Sequence, residues 1–179
     1  MINKRIFWAT VFFVWLGGSI ISVFFTPALI MKAVEFRMHE EIGVNTLMHK
    51  STLSTYVDRD VVRPNNDTLY STAWLDLSEG PLVLKLPDMD ERYYSFQFLN
   101  TDTSVSNVIG TRTTGQQAID ILLVGPESQA CVSEFKHVVR LPENKAWLLG
   151  RTLVDGPTDL LNAVSTMEQY QLLSPATCG

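Results

Sequence analysis

Residues 63–70, Arg-Pro-Asn-Asn-Asp-Thr-Leu-Tyr, gather a guanidinium, two carboxamides, a carboxylate and a phenol within one short string. Such a set can do two kinds of work. Converging at the end of a strand, Arg63, Asn65, Asn66, Asp67 and Tyr70 would line a polar pocket, with Arg63 holding an anionic group. Turned on the chain itself, they would build a rigid turn. Pro64 fixes its own φ and holds Arg63 extended. The asparagines and Asp67 can bond neighbouring backbone groups, and Arg63 can pair with Asp67. A calcium site on Asn65 and Asp67 is a poorer reading, because one carboxylate falls far short of the roughly six to eight oxygens that ion takes.

A second string, Gly-Thr-Arg-Thr-Thr-Gly at residues 110–115, sets Arg112 among three threonine hydroxyls, Thr113 among them. Arginine with hydroxyls nearby suits a carboxylate or a phosphate. The spacing is not that of a P-loop, whose closing Lys-Ser/Thr is absent. A tight loop between strands is the structural alternative. In a third string, Asn-Thr-Leu-Met-His-Lys at residues 45–50, Asn45 and His49 stand four apart and would share a face on a helix. His49 is then a candidate general base, against a purely structural role. No nucleophile elbow, no His-Glu-x-x-His string and no pairing of carboxylates is present. Neither a metal nor an organic cofactor is called for.

The elements that must position these residues are mostly strands. In "TLYSTAWLDL", Leu69, Ser71, Ala73 and Leu75 fall on one face, and Tyr70, Thr72, Trp74 and Asp76 on the other. "PLVLKLP" puts Leu82, Leu84 and Leu86 together; "RYYSFQFLN" does the same for Tyr94, Phe96 and Phe98. These two runs read as a hairpin across "PDMDE", and "HVVRLP" with "AWLLGRTLV" as another across "ENK". "VSNVIGT" and the continuously apolar "DILLVGP" complete about seven strands. The period then changes. "GPTDLLNAVSTMEQYQLL" predicts an amphipathic helix of about 15 residues, with Leu160, Val164, Met167 and Tyr170 on its apolar side. That side would pack on the sheet or on a partner.

Residues 6–31 carry no charge. At 1.5 Å per residue, the first twenty of them make about 30 Å of helix, the thickness of a bilayer core. A length beyond that of a signal-peptide core, with bulky Trp8, Trp15, Phe24 and Phe25, favours a retained anchor over a cleaved leader. Lys4 and Arg5 favour a cytoplasmic amino terminus, opposed in part by Lys32 and Arg37. Helical spacing in "ALIMKAVEFRMHEE" predicts that the span runs on as a stalk.

The chain has 179 residues and a formal net charge of −5. All 19 acidic residues lie beyond the span, and Lys4 and Arg5 are two of the 14 basic ones, so residues 32–179 stand near −7. That balance excludes a nucleic-acid role, which needs a basic footprint. Cys131 and Cys178 would close a loop worth about 3–4 kcal/mol if bridged in an oxidising compartment. The alternative is a buried Cys131 and a free Cys178.

Taken together, "NTLMH", "VVRPNNDTLYSTAWLDLSEGPLVLKLPD", "RYYSFQFLN", "VIGTRTTG" and "ILLVGP" resemble the family catalogued as domain of unknown function 1254. The resemblance implies a β-rich domain and marks Arg63, Asn65, Asn66, Asp67, Tyr70 and Arg112 as motif positions. It implies no reaction. Such domains often continue into a companion β-domain, catalogued as domain of unknown function 1214, which a separate protein would supply here. The expectation is therefore a mainly β (α+β) protein: a β-sandwich or jelly-roll-like domain over residues 32–179, with a C-terminal amphipathic helix, after one transmembrane helix within residues 1–31. It would sit in the inner membrane as a single-pass protein facing the periplasm. Its function would be binding or assembly with the companion domain, or homodimerisation, where Gly18 and Ser22 allow close helix contact. A hydrolase acting on a small polar or envelope-derived substrate is the alternative.

Overall fold

The computed structural model describes residues 3–55, 65–128 and 132–174. Helix α1, Lys4–Glu41, runs unbroken through the apolar span and beyond it. Asn3 caps its first turn by accepting from the Arg5 N–H at 3.1 Å. None of its most apolar stretch is buried against the rest of the chain. An apolar helix of this length with no protein around it anchors the chain in a membrane. Its last turns behave differently. Met31 and Met38 are buried, and with Val34 and Ile42 they pack on Trp74 and Trp147. Lys145 donates to Glu35 at 2.7 Å beside them. The stalk is thus fastened flat to the domain.

Among the described residues, nine strands follow in two sheets: β1 Met48–Lys50, β2 Thr68–Asp76, β3 Leu82–Leu86, β4 Tyr94–Leu99, β5 Val105–Gly110, β6 Ile119–Val124, β7 His137–Arg140, β8 Lys145–Leu153 and β9 Gln171–Leu173. The first sheet has the order β1-β2-β8-β4-β5 and the second β7-β6-β3-β9. Alternation decides what lies between them. Leu69, Ala73 and Leu75 of β2, Tyr94, Phe96 and Phe98 of β4, and Leu148 of β8 meet Leu84 of β3 with Ile121 and Leu123 of β6 in one core. The fold is a β-sandwich. β6 is buried on both faces, as its unbroken apolar run requires. Its second face, with Val83, packs under Val132, Phe135 and Val138.

Both expected hairpins are absent. β3 pairs with β6 and β9, while β4 pairs with β5 and β8. The connection between β3 and β4 is an arch from one sheet to the other. Asp88 accepts from the Asp90 N–H, Asp90 and Glu91 take positive φ, and Met89 is buried as a plug. β7 likewise lies beside β6 in parallel, and the chain then crosses through buried Leu141 to β8. Residues facing a shared core alternate identically whichever sheet they belong to.

The C-terminal helix is shorter than its pattern. A 3₁₀ turn, Pro157–Asp159, leads into α2, Leu160–Met167. Backbone bonds then tighten, Gln169 N–H to Thr166 and Tyr170 N–H to Met167, and residues 171–173 pair with β3 instead. An open strand edge outweighed helix propensity here. Ala163, Met167 and Tyr170 are buried in the sandwich, with Leu160 and Val164 against it. The apolar side of α2 therefore packs on the domain itself and presents no docking surface.

Candidate functional site

The strand register puts residues of all three sequence strings on one rung. Lys50 pairs with Tyr70, Tyr70 with Arg151, Arg151 with Ser95, and Ser95 with Gly110. These five residues form one rung across the five-stranded sheet. Partners on a rung point to the same side, and inner-facing Tyr94 and Thr152 place this rung on the outer face. Tyr70 comes from the first string and Gly110 from the second. Arg151, which neither string contains, stands between them.

Local bonding explains which groups remain available. Asn65 Oδ1 accepts from the Asp67 N–H at 3.0 Å, and the Asn65 N–H reaches the Tyr70 hydroxyl at 3.4 Å. The Asp67 carbonyl accepts from Val154 at 2.8 Å. Asn65 is thus a turn builder, and its oxygen is engaged where a cation would need it. Asn66 and Asp67 are exposed. Arg63 lies outside the described residues, as do Cys131 and Cys178.

The Gly110 string uses its hydroxyls in the same inward way. Thr113 Oγ1 accepts from the Gly110 N–H at 2.9 Å. Thr111 Oγ1 accepts from Tyr94 N–H, and Thr114 Oγ1 meets the Tyr94 hydroxyl at 2.8 Å. A Cβ on Gly110 would lie 2.4 Å from the Tyr94 carbonyl oxygen, so only glycine allows this approach. With the three hydroxyls holding the turn, Arg112 is left exposed at its tip. Beside it opens a cleft of about 300 Å³ lined by Tyr93, Ser95, Val108, Gly110 and Arg112.

Arg151 stands in the middle of the rung, outside the lining of that cleft. Its guanidinium carbon lies 5.8 Å from the centre of the Tyr70 ring. Its Nε–H is shielded from solvent and has no acceptor among the described residues. A shielded cationic donor without an acceptor is costly, so the position calls for an explanation. The sequence carried one sign of it. In "AWLLGRTLV", Arg151 falls on the same face as Trp147 and Leu149, a charge on an otherwise apolar stripe.

Asn45 and His49 do not share a helix face. Asn45 takes φ 57 in the connection after α1 and grips the end of β2. It donates to the Asp76 carbonyl at 2.9 Å and accepts from the Asp76 N–H at 2.8 Å. His49 lies on β1 and faces the core. Its Nδ1 is 2.8 Å from Ser71 Oγ, and its ring meets Tyr170 edge to face. Tyr170 in turn bonds Thr152 Oγ1 at 2.8 Å. Burial pushes the imidazole below its ordinary pKa, with Glu168 opposing, and raises the Tyr170 phenol to about 12. A histidine against a serine is the geometry of an activated nucleophile. Here, however, Ser71 is 0% exposed, so no substrate reaches it. The pair is a satisfied core network. Among the described residues, no group of three or more His, Cys, Asp or Glu lies close enough to hold a metal.

One polar clamp at the same end of the sheet also escaped the sequence. Arg92 binds Asp159 through both guanidinium nitrogens, with Nη2 to Oδ1 at 2.8 Å, and also reaches the Leu153 carbonyl at 2.7 Å. It ties the start of β4 to the end of β8 and to α2.

The fold has solved counterparts. The VPA0106 protein from Vibrio parahaemolyticus superposes with a TM-score of 0.64 at 23% identity, over 86% of this chain and 36% of that one. An uncharacterised protein from Burkholderia cenocepacia gives 0.46 at 11% identity, over 68% of this chain and 34% of that one. The chain thus spans about a third of the length of either. No curated protein matches the sequence. The family described as protein of unknown function DUF1254 matches residues 44–175, most of the globular part, and the chain belongs to that family.

Proposed function

We propose that this protein is a membrane-anchored binding module that docks a companion β-domain on the outer face of its five-stranded sheet. One observation carries the reading. α1 packs on Trp74 and Trp147 of that face, and apolar side chains stay exposed around them. Met48, Tyr93, Val105 and Val108 are 40–51% exposed there. Exposed apolar side chains gathered on one face, with cationic groups among them, mark an interaction surface. The greater length of the Vibrio protein supports the idea that this sandwich works beside further structure. Lys4 and Arg5 support an inner-membrane, single-pass orientation with the sandwich in the periplasm. The hydrolase reading is disfavoured by the burial of Ser71 behind His49.

The test is purification from the native host in mild detergent, with the mass of the intact particle measured. A particle holding a second polypeptide, dispersed by Val108→Asp and Val105→Asp, is the expected result. A homodimer would replace the companion with a second copy. A monomer in the wild type would overturn the docking reading.

A further inference from the structure

We propose that α1 crosses the bilayer at a steep tilt and lays the flank opposite the sandwich, Leu29, Lys32, Ala33, Phe36 and Arg37, into the lipid headgroup layer. The two sides of the stalk differ. Met31, Val34, Met38 and Ile42 recur every three or four residues and pack on Trp74 and Trp147. On the other side Leu29 is 64% exposed and Phe36 67%, with Lys32, Ala33 and Arg37 exposed beside them. Phe36 lies beyond the uncharged run of residues 6–31, where an upright span would lift it into water.

Length and side agree on the tilt. Residues 6–31 make about 39 Å of helix, and a run of that length fits a core about 30 Å thick when it leans by about 40°. A bilayer surface that cuts a leaning helix meets its two flanks at different heights. From Met31 on the sandwich side to Phe36 on the other is about 7.5 Å along an axis about 10 Å thick, a lean of about 37°. Such a lean keeps the sandwich above the lipid and sinks Phe36 into it. Exposed Glu40, one turn further on the same flank, marks where the helix leaves the headgroups. Pro27 stands on the sandwich side, four residues before Met31, where its ring crowds the turn before it and favours a lean away from that side.

Lipid fits this flank better than a partner helix. The flank continues the surface of the span, whose most apolar stretch is wholly unburied. Lys32 lies between Leu29 and Phe36 on the same side. In a bilayer its methylenes stay among acyl chains while the ammonium reaches the phosphates. A helix packed along that side would instead have to bury the charge. The Arg37 side chain, 73% exposed and bonded only at 3.4 Å to Glu41, has the same reach.

The experiment uses the full chain, with Cys131→Ser and Cys178→Ser, reconstituted in phosphatidylcholine and phosphatidylglycerol vesicles. Spin labels are placed singly at Leu29→Cys, Ala33→Cys, Phe36→Cys and Glu40→Cys. Collisions are measured with oxygen, which concentrates in lipid, and with a water-soluble nickel chelate. Labels at 29, 33 and 36 should show an oxygen-to-chelate ratio several-fold above that at 40. A label at 36 as open to the chelate as at 40 would overturn the proposal. Shielding of 36 from both reagents would overturn it too, since a protein would then cover the flank. Ala33→Cys keeps the test decisive if Phe36→Cys does not fold. Infrared dichroism of the oriented wild type should give a tilt of about 35–40°, and a tilt under about 20° would also overturn it. The docked companion is read separately, by particle mass.

Discussion

Replacing Asp159 with alanine removes the carboxylate that holds Arg92 in two parallel hydrogen bonds, and also the acceptor of the Asp155 N–H at 2.8 Å. Arg92 keeps only the Leu153 carbonyl. The two side chains are 15% and 16% exposed, so the orphaned guanidinium stays largely out of water. Breaking a fully buried pair from one side costs about 3–5 kcal/mol. The residual exposure here lowers that to roughly 2–4 kcal/mol. For a domain of this size the loss is about 5–15 °C in Tm. The assay is a melt followed by near-ultraviolet circular dichroism, for Asp159→Ala, Arg92→Met and the double variant. The double variant should lose less than the sum of the singles, by about 1–3 kcal/mol. The pH dependence gives a second reading. Arg92 holds the Asp159 carboxyl well below the usual carboxylate range. Its contribution is therefore complete above the ordinary carboxyl pKa of about 3.9 and is lost as pH falls below it. Asp159→Ala should show a shallower acid decline than wild type. A Tm within about 2 °C of wild type, with additive singles, would refute the clamp.

Other substitutions probe other parts of the fold. Burial depresses the His49 pKa, so its contribution is whole above the ordinary value of about 6.5 and lost as pH falls below it; His49→Gln should flatten the stability profile on that acid side. A Cβ on Gly150 would lie 2.5 Å from the Phe96 ring, so Gly150→Ala should cost about 1–3 kcal/mol in a urea melt, and Phe96→Leu should recover part of it. Trp74 is 0% exposed beneath Met31 and Met38, so Trp74→Ala should cost about 3–5 kcal/mol and open α1 to proteolysis after residue 31. Lys145→Ala breaks only a half-exposed bond to Glu35 and should shift stability by less than about 1 kcal/mol.

Alternation in the sequence identified the core side of β2, β3 and β4. Leu69, Ser71, Ala73 and Leu75 all face inward at 0% exposure, as do Tyr94, Phe96 and Phe98. It could not say which strand lies beside which. β3 and β4 feed the same core from opposite sheets, and their alternation would read the same as neighbours. β1 and β9, three residues each, are too short to show a period. The site was legible in pieces for the same reason. Tyr70 and Gly110 come from separate strings, and their place on one rung depends on β8 lying between β2 and β4. Arg151 gains its meaning only from that placement.

The hydroxyls and amides that made both strings conspicuous turn out to serve the backbone. Asn65 holds the turn before β2, and Thr111, Thr113 and Thr114 hold the turn that leaves Arg112 exposed. The same logic divides the outer face. α1 rests on Trp74, four residues along β2 from Tyr70, or about 13 Å at strand spacing. β2 and β8 join those two points through an unbroken ladder from Thr68↔Leu153 to Asp76↔Lys145. The two longest strands of the sandwich thus carry the membrane helix at one end and the Tyr70–Arg151 pair at the other.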